Sequence, residues 1–535
     1  NHFKTSFMVH CFKYFSFKAL SVMIQALSYR SFYMKDKAQK NIKMHSVQFN
    51  FIMNAILTVS SFIFPLITFP YISRTLLVDG IGKVNFATSV ISYFTMFASL
   101  GIPTYGIRAC ARVRDDREKL TKTAQELIII NLITSAITYA VFFILLFTVD
   151  RFYHDKTLLT VTSVSIILNT LGVTWLYSAL EQYSYITVRN IACKLVSVIL
   201  MFIFVHNTSD YVIYGVIAVL ASGGSNLLNF INLKKYISLR PVGHYDFKQH
   251  LQPIFIFFAT SIAISIYTNL DTVMLGFMTD DTQVGLYSAS VKVKTVLLAV
   301  VSSLGNVLLP RLSVYIHDND YSKFREALSR VLNFLLLITI PLTLFFTLYV
   351  KDSIILLSGE AFLDASLSMR LLMPTVFFCA LSGMTGNQML VPLGREKAVM
   401  LSVSIGAVFD FVLNFFVIPK MGAAGAALST LLTEFLVLVV QTFFLKDHLG
   451  KVIRGVKALP ILLSAAVSTG AGIVIQHYMG VSNSFLRLVI GAVSFFGIYF
   501  VLLLILKEKF LTENLTLALE KLKSLLSSRK QQPKD

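Results

Sequence analysis

Long apolar runs, separated by short polar connections, follow one another along almost the whole chain of 535 residues. A helix that crosses a bilayer needs about 20 mostly apolar residues, and about fourteen such runs occur between residues 49 and 506. The polar stretches between these runs are too short to form a soluble domain. The pattern therefore predicts an all-α integral membrane protein with about fourteen transmembrane helices and no soluble catalytic domain.

Composition and charge agree with this prediction. Hydrophobic residues make up 55% of the chain and charged residues 14%, whereas an average soluble domain carries roughly 25% charged residues. The formal net charge is +19, and most Lys and Arg residues lie in alternate connections and towards the two ends of the chain. Because basic residues favour cytoplasmic loops, we expect both termini to be cytoplasmic, and no nucleic-acid partner is needed to explain the charge.

A weak internal repeat recurs at a spacing of about 203 residues. The matches are Ile81-Gly82 with Val284-Gly285, Ser99-Leu100-Gly101 with Ser303-Leu304-Gly305, and Arg108 with Arg311. Since six predicted helices separate the copies, both copies have the same orientation in the membrane. The repeat predicts two parallel six-helix lobes that enclose a central cavity and open it to alternate sides.

The repeat and the charge pattern divide the chain into five predicted segments. They are a basic N-terminal cytoplasmic extension (1–48), an N-lobe of helices 1–6 (49–233), a C-lobe of helices 7–12 (251–444), helices 13 and 14 (458–506), and a basic cytoplasmic tail (507–535). The N-terminal extension is interpreted either as an interfacial basic helix or as sequence upstream of a natural start at Met34 or Met44.

Several charged residues fall inside the predicted helices, where a charge at the bilayer centre costs about 2.5–3.5 kcal/mol on insertion scales. Four bases in the outer half of the membrane are candidates to bind an anionic headgroup, because Arg and Lys suit phosphate: Arg74, Lys292, Lys294 and Arg370. The alternative is that these bases extend to the interface or form structural ion pairs. Lys292 and Lys294 are two positions apart, so they cannot both face one cavity squarely.

A second group of polar residues is a candidate site for ion coupling in the cavity: Asp271, Asp410, Asn414 and Glu434. Asp410 and Asn414 are four positions apart and share a helix face, and together with Glu434 they could hold a proton or a cation. The alternative is an interhelical hydrogen bond that only locks the packing.

Motifs for catalysis or for ATP binding are absent from the sequence. The nearest approach to a P-loop, at residues 80–83, has Leu77 in place of the first glycine and Val84 after the lysine. The four cysteines are scattered singly, so neither a zinc site nor a disulfide framework is indicated. We therefore expect a protein that is not an enzyme, holds no metal or cofactor, and draws energy from a gradient or from substrate flow.

Five stretches of the chain together resemble a known family of transporters. They are residues 69–116, NLDTVMLGFMTDDTQVGLYSASVKV (269–293), LLPRLS (308–313), NQMLVPLGREKAV (387–399) and IGAVFDFVLNFFVIPKMGAAGAALSTLLTE (405–434). They occur in the family's order, and the resemblance covers about residues 49–510. By these motifs the chain resembles a Wzx-type polysaccharide flippase, in the superfamily that also holds multidrug-toxin extruders and MurJ-type lipid II flippases.

The resemblance implies a substrate and a location. The substrate would be an oligosaccharide repeat unit on a polyprenyl pyrophosphate, flipped across the bacterial plasma membrane for capsule, O-antigen or exopolysaccharide synthesis. Arg74 falls at the family's basic position that closes helix 1, and helices 13 and 14 would form a groove for the lipid tail. Asp410 departs from the pattern, because family members usually carry Asn there. Implied partners are membrane lipid and the polymerase and glycosyltransferases of the same pathway, and we expect a monomer.

Three other functions remain as alternatives. A lipid scaffold without transport would not explain the charges buried in both halves of the chain. A cation-coupled multidrug extruder on the same fold would favour a cavity with a net acidic balance, against which the bases inside the helices argue. A membrane polymerase or glycosyltransferase would need a large external loop or an acidic catalytic pair at the interface, and neither is present in the sequence. We therefore expect a flippase for lipid-linked oligosaccharides.

Overall fold

A computed structural model describes residues 46–512 as a bundle of α-helices without strands. The predicted segments 1–48 and 507–535 lie almost entirely outside the described residues. The helices are α1 (Val47–Ser99), α2 (Ile102–Arg112), α3 (Arg117–Thr148), α4 (Asp150–His154), α5 (Lys156–Gly172), α6 (Thr174–Ala179), α7 (Tyr183–Phe204), α8 (Tyr211–Val219), α9 (Ser225–Asn232), α10 (Lys248–Met278), α11 (Asp281–His317), α12 (Tyr321–Leu348), α13 (Val350–Leu357), α14 (Ser366–Gly383), α15 (Glu396–Met421), α16 (Ala423–Phe444), α17 (Lys446–Ile453), α18 (Ala458–Tyr478) and α19 (Ser484–Ile505). Short π-helical segments at Leu220–Gly224 and Met384–Leu390 continue α8 and α14.

Twelve helical segments within residues 46–512 are long and apolar enough to cross a membrane. The first, Gln48–Arg112, contains two of the predicted spans, because α1 breaks at Leu77, whose φ of 57° and ψ of −168° are not helical. Helix α11 covers the predicted eighth span and is not among the twelve. The all-α membrane fold is thus confirmed, and the predicted count of fourteen helices is approximate.

Polar side chains fix the starts of several helices. Asp116 accepts hydrogen bonds from the backbone N–H groups of Glu118 and Lys119, both at 3.1 Å, at the start of α3. Asp280 accepts from the N–H of Gln283 at 2.8 Å at the start of α11. The first N–H groups of a helix have no partner within the helix, so these side chains let a helix begin directly after a very short connection.

Large apolar side chains cover the outside of the bundle. Phe51, Phe147 and Val493 are 68%, 64% and 70% exposed, and they lie on helices from the beginning, the middle and the end of the described chain. In water such a surface would aggregate, whereas hydrocarbon accommodates it at no cost. The chain is therefore a multi-pass membrane protein.

The connections between helices lie alternately at two ends of the bundle. We call the end that holds both described chain ends and the connection between α9 and α10 the terminal face. The other end, which holds the break at Leu77 and the connection between α10 and α11, is called the opposite face. These two names are used below without assigning either face to a side of the membrane.

The N-lobe (α1–α9) and the C-lobe (α10–α16) meet chiefly where α1 crosses α11. Helix α10 belongs to both lobes by its contacts. It packs against the N-lobe near both faces, and the rings of Phe97 and Phe258, and of Phe86 and Phe277, are each 5.5 Å apart. It also packs against α15, where Asp271 accepts a hydrogen bond from Asn414 at 2.7 Å. A relative movement of the lobes must therefore bend or shift α10.

Helices α18 and α19 lie outside the two lobes and pack against α12. The contact is an apolar cluster formed by Ile461, Ala465, Tyr499 and Leu503 against leucine and isoleucine side chains of α12. The Tyr499 hydroxyl also donates a hydrogen bond to the carbonyl oxygen of Leu337 at 3.0 Å. This pair of helices is thus attached to the C-lobe.

Candidate functional site

Asp271, on α10, lies at the centre of a polar cluster inside the C-lobe. One of its carboxylate oxygens accepts a hydrogen bond from the Asn414 side chain at 2.7 Å. The other accepts from the hydroxyl of Thr430 at 2.8 Å and from the hydroxyl of Tyr287. Since these partners come from α15, α16 and α11, the carboxylate joins four helices of the lobe.

Asn414 connects Asp271 to the second carboxylate of this cluster. Its side-chain nitrogen also lies 3.1 Å from Asp410 Oδ2, and Asp410 Oδ1 accepts from Thr433 Oγ1 at 3.1 Å. Asn414 is fully buried, and its side-chain oxygen has no hydrogen-bond partner among the described residues. A buried carbonyl oxygen without a donor is costly, and here it lies beside two carboxylates. The arrangement can hold a small cation or a proton.

Glu434 forms a separate pair rather than joining Asp410. Its carboxylate accepts a hydrogen bond from the Tyr267 hydroxyl and lies 3.8 Å from Lys294 Nζ. Both charged side chains are largely buried, with exposed fractions of 14% for Lys294 and 3% for Glu434. An anionic ligand could compete with Glu434 for the lysine in a buried pair of this kind.

Lys292 and Arg370 have different surroundings. Lys292 Nζ lies 5.6 Å from the ring centre of Phe69, so this lysine of the C-lobe extends towards α1 of the N-lobe. Arg370, near the start of α14, is exposed, and no hydrogen bond or ion pair of its side chain is found within residues 46–512. The structure therefore does not join Arg370 to the two lysines by any direct contact.

Arg74 bridges the two lobes at the opposite face. Its guanidinium donates to the carbonyl oxygen of Pro70 at 2.6 Å and to those of Ile355 and Leu356 at 2.8 and 2.7 Å. Pro70 belongs to α1 and the other two to α13, at the end of which carbonyl groups lack helical partners. Arg74 thus caps a helix of the other lobe, although its side chain remains exposed to an approaching ligand.

Arg151 forms a second bridge between the lobes at the same face. It pairs with Asp155 at 3.1 Å within the N-lobe and with Asp281 of the C-lobe, and its Nε donates to the carbonyl oxygen of Gly276 at 3.0 Å. The guanidinium carbon also lies 4.6 Å from the ring centre of Phe86. Both carboxylates are buried, so water and salt weaken their attraction to Arg151 only a little.

The N-lobe contains a polar cavity of a different character. Its volume is about 290 Å³, and it lies between the second half of α1, helix α5 and the π-helical segment after α8. Its polar lining consists of uncharged groups: Thr88, Ser92, Thr95, Thr162, Ser165, Asn169, Ser222 and Asn226. The cavity of the N-lobe therefore offers hydroxyl and amide groups, whereas the C-lobe offers charged groups.

Six of the eight predicted site residues thus fall into three places rather than one, and Lys292 and Arg370 join none of these places. Asp271, Asp410 and Asn414 are brought together, Lys294 and Glu434 form their own pair, and Arg74 caps a helix end at the opposite face. Sequence reasoning missed Arg151 because it lies in a connection, where a charge is unremarkable. It missed Thr430 and the hydroxyl-lined cavity because single Ser, Thr and Asn residues are common in membrane helices. Thr430 and Glu434 are four positions apart and so share a helix face, and this spacing could have indicated Thr430 as a site residue.

Comparison with known proteins gives matches over most of the described chain. The model of the family described as polysaccharide biosynthesis protein matches residues 47–316, and that of the MatE family matches residues 257–416. A protein named "Putative O-antigen transporter" from Escherichia coli (strain K12) is 24% identical over 414 residues, which are 76% of this chain and 99% of that protein. One of the same name from Shigella dysenteriae is 25% identical over 71% of this chain and 95% of that protein.

The fold is similar to that of a solved transporter. The lipid II flippase MurJ in its inward closed conformation superimposes with a TM-score of 0.67, covering 84% of this chain and 98% of that chain at 16% sequence identity. At that identity the likeness concerns the fold alone. Since the first family model matches half of the chain, the chain belongs to the polysaccharide biosynthesis protein family, and it is a Wzx-type flippase of the superfamily that also holds MurJ and the MATE transporters.

Proposed function

We propose that this protein moves oligosaccharide repeat units, linked to a polyprenyl pyrophosphate, from the cytoplasmic to the outer side of a bacterial plasma membrane. The observation that carries the proposal is the buried Lys294 inside the C-lobe, paired with Glu434 at 3.8 Å, while Lys292, two positions away, extends towards α1 of the N-lobe. A long and imperfect ion pair in a low-dielectric site is readily exchanged for a stronger one. A pyrophosphate would supply that stronger partner, whereas a cationic drug would be repelled by the lysines.

The two lobes would accept different parts of this substrate. The lysines of the C-lobe would hold the pyrophosphate, and the hydroxyl-lined cavity of the N-lobe would exchange hydrogen bonds with sugar hydroxyls. The polyprenyl tail would stay in the bilayer beside α18 and α19. Arg74 and Arg370 would contact the headgroup near the opposite face, once the lobes separate and Arg74 releases the end of α13.

Alternating access would follow from opening and closing of the opposite face. In the described conformation Arg74 and Arg151 each join the lobes there. Opening of the opposite face would break both contacts together. The lobes would therefore adopt two discrete arrangements, open and closed, rather than a continuous range. Both ends of the chain would be cytoplasmic, so that the closed opposite face is the outer one, in keeping with the distribution of Lys and Arg.

Transport would be coupled to a monovalent cation or a proton at the cluster of Asp271, Asp410 and Asn414. Oxygen ligands from carboxylates, an amide and a hydroxyl are what a hard cation prefers. Among residues 46–512 there is no group of three His, Cys, Asp or Glu side chains able to hold a metal ion, so a transition metal is not proposed. Because α10 carries Asp271 and also contacts the N-lobe, ligand binding at the cluster would bias the position of the lobes.

The protein would act as a monomer and without catalysis, alongside the polymerase and glycosyltransferases that handle the same lipid-linked units. A cation-coupled drug extruder is the alternative, favoured by the match of the MatE family model to residues 257–416. The two functions differ in the charge of their cargo, and the experiment below separates them.

The test is translocation in liposomes. Purified full-length protein is reconstituted with a short polyprenyl-pyrophosphate oligosaccharide, and arrival on the other leaflet is scored with an impermeant enzyme that modifies the sugar. We expect transport by the wild type and at least a tenfold loss in Lys294→Gln, since a charge-assisted contact contributes about 1.5–3 kcal/mol. The matched control is Arg117→Gln, an exposed base at the terminal face that lies outside the candidate site.

Failure of the wild type to move several different sugar units, under proton and sodium gradients of either direction, contradicts the proposal. The same vesicles would then be assayed for efflux of an organic cation. Transport of the sugar lipid by Lys294→Gln at the wild-type rate contradicts the assignment of the headgroup site but leaves the flippase function standing.

A further inference from the structure

A second, strongly basic cavity lies at the terminal face, away from the candidate site. Its volume is about 520 Å³, and its walls come from the start of α12, from α17 with the connection that follows it, and from residues 508–510 after the end of α19. None of the residues considered above for transport lines it. The cavity opens where the helices of the C-lobe and the two additional helices meet the membrane surface.

The charge of this cavity is unbalanced. Six basic side chains line it: Arg325, Arg330, Lys451, Arg454, Lys457 and Lys509. Its two carboxylates are already engaged, since Glu326 pairs with Arg330 at 2.7 Å and Glu508 accepts from the Asn333 side chain at 2.8 Å. Within residues 46–512 no ion pair is found for Lys451, Arg454 or Lys457. The cavity therefore carries six bases against two carboxylates, one of which is already paired with Arg330, and it keeps a clear excess of positive charge.

Internal contacts hold the walls of the cavity in place. Buried Glu508 also accepts from the N–H of Leu511 at 2.7 Å, which fixes the turn after α19. Ser329 Oγ donates to the carbonyl oxygen of Val452 at 2.9 Å, and a Cβ on Gly455 would meet the same hydroxyl at 2.5 Å. The base-bearing segment after α17 is thus packed closely against α12, so the cationic side chains project from a fixed backbone.

Exposed apolar side chains border the basic ones on the lipid-facing side. Ile453 and Leu459, which flank Arg454 and Lys457 in the sequence, are 52% and 67% exposed. Ile505, close to Lys509 at the end of α19, is also 67% exposed. Basic residues next to exposed apolar residues match a ligand with an anionic head and a hydrocarbon tail better than they match a free anion.

We propose that this cavity binds the phosphate headgroup of an anionic lipid in the leaflet at the terminal face, with Lys451, Arg454 and Lys457 as the principal contacts. The bases hold the phosphate, and the acyl or prenyl chain lies along the apolar surface of α18 and α19. The site would secure the two additional helices to the C-lobe while the lobes move. This inference goes beyond the proposed function and does not require that transport occurs.

The test is lipid binding by the full chain in detergent, measured by native mass spectrometry. Dimyristoyl phosphatidylglycerol is titrated against dimyristoyl phosphatidylcholine, with wild type and with the triple variant Lys451→Gln, Arg454→Gln, Lys457→Gln. We expect the wild type to prefer the anionic lipid and the variant to bind it at least about tenfold more weakly, since each base near an anionic surface contributes roughly a fivefold factor. The matched control is Lys234→Gln, Lys235→Gln, Arg240→Gln, three exposed bases at the same face, which we expect to bind like the wild type.

Two competition measurements identify which kind of molecule supplies the bound phosphate. Competition with farnesyl pyrophosphate that is weakened by the triple variant supports the site and extends it to prenyl phosphates. Equally strong competition by inorganic pyrophosphate overturns the proposal, because the apolar border would then contribute nothing. If the triple variant fails to fold, binding of the anionic lipid to the wild type is measured at increasing salt concentration. Binding that does not weaken with salt also overturns the proposal.

Discussion

Gly82 and Gly285 lie at equivalent positions of the internal repeat, and each lies against the backbone of the other lobe. A Cβ on Gly82 would overlap the carbonyl oxygen of Asp281, and a Cβ on Gly285 would overlap that of Val78. Val78 and Asp281 are themselves separated by the repeat spacing of about 203 residues, so the two contacts are related by the symmetry of the lobes. Two glycines thus permit the close crossing of α1 and α11 at the opposite face.

Gly82→Ala is expected to push the lobes apart at the opposite face, and Gly285→Ala is expected to do the same. The obstructing atoms are backbone, which cannot rotate away, so the closed arrangement should lose about 1–3 kcal/mol relative to an open one. The measurement is the distance between spin labels at exposed His154 and Asp364, one on each lobe, in a cysteine-free background. A longer or broader distance distribution is the expected outcome.

Gly470→Ala and Gly497→Ala serve as controls, because a Cβ at either position meets no atom within 4 Å. Both controls should leave the distance distribution as in the wild type. An unchanged distribution in Gly82→Ala and Gly285→Ala would show that the reciprocal contact does not hold the face closed.

Much of this architecture could be predicted from the sequence, because membrane helices are marked by length and hydropathy. The repeat at Ile81-Gly82 and Val284-Gly285 also pointed to two equivalent lobes. The sequence does not show why glycine occupies positions 82 and 285, since a glycine after a helix equally suits a cap, a turn or a close crossing. Only the facing carbonyl groups of Asp281 and Val78 distinguish these cases.

The candidate site was less predictable than the fold. The spacing of Asp410 and Asn414 placed both on one face of α15, and their side chains are 3.1 Å apart. Which residues of other helices complete the cluster depends on how the helices rotate against one another, and hydropathy does not determine that rotation. Glu434 was therefore grouped with Asp410 from the sequence, whereas it lies beside Lys294. The roles of all these residues stay predictions.

Arg151→Gln is expected to weaken the closed arrangement without changing the headgroup site. It leaves the buried carboxylates of Asp155 and Asp281 without their shared cation, at a cost of about 3–5 kcal/mol for a broken buried pair. Thermal unfolding in detergent should show a lowered midpoint. Removing one of the two unpaired charges with Asp281→Asn in the same chain should recover part of the loss, and no recovery would mean that the two residues act independently.

Asp410→Asn is expected to keep transport but to reduce its dependence on a sodium or proton gradient. The amide removes one of the two charges near Asn414, so a cation is held less strongly. Transport in liposomes is measured with and without each gradient, and Asp447→Asn, a carboxylate on α17 outside the cluster, is the control. Full gradient dependence in both Asp410→Asn and Asp271→Asn would exclude coupling at this cluster.

Arg74→Gln separates two roles of one side chain, binding of a headgroup and capping of α13. If the headgroup role dominates, the variant should raise the apparent KM for the sugar lipid about tenfold or more at a nearly constant maximal rate. If the cap dominates, the maximal rate changes and the apparent KM does not. Arg74→Lys keeps the charge but loses the double hydrogen bond to Ile355 and Leu356, so it should rescue only the first role.

Gln125 is expected to hold the connection between the lobes against α3. Its side-chain nitrogen donates to the carbonyl oxygens of Ser238 and Arg240, both at 2.8 Å, and its oxygen accepts from the Tyr245 hydroxyl at 2.7 Å. Gln125→Ala removes these contacts and a fourth, from the N–H of Val242 at 3.2 Å, and leaves carbonyl groups without donors, which should free the connection at a cost of about 2 kcal/mol. Limited digestion with trypsin should then cut faster after Lys235.

The control for that experiment is Gln249→Ala, whose side chain reaches Glu126 only at 3.4 Å and lies on α10 beyond the connection. It should be cut at the wild-type rate. Faster cutting in both variants would point to a general loosening of α3 against α10. Unchanged cutting in Gln125→Ala would mean that the buried contact of His250 with Glu126, 2.7 Å long, is enough to hold the connection, since it ties the start of α10, directly after the connection, to the residue of α3 next to Gln125.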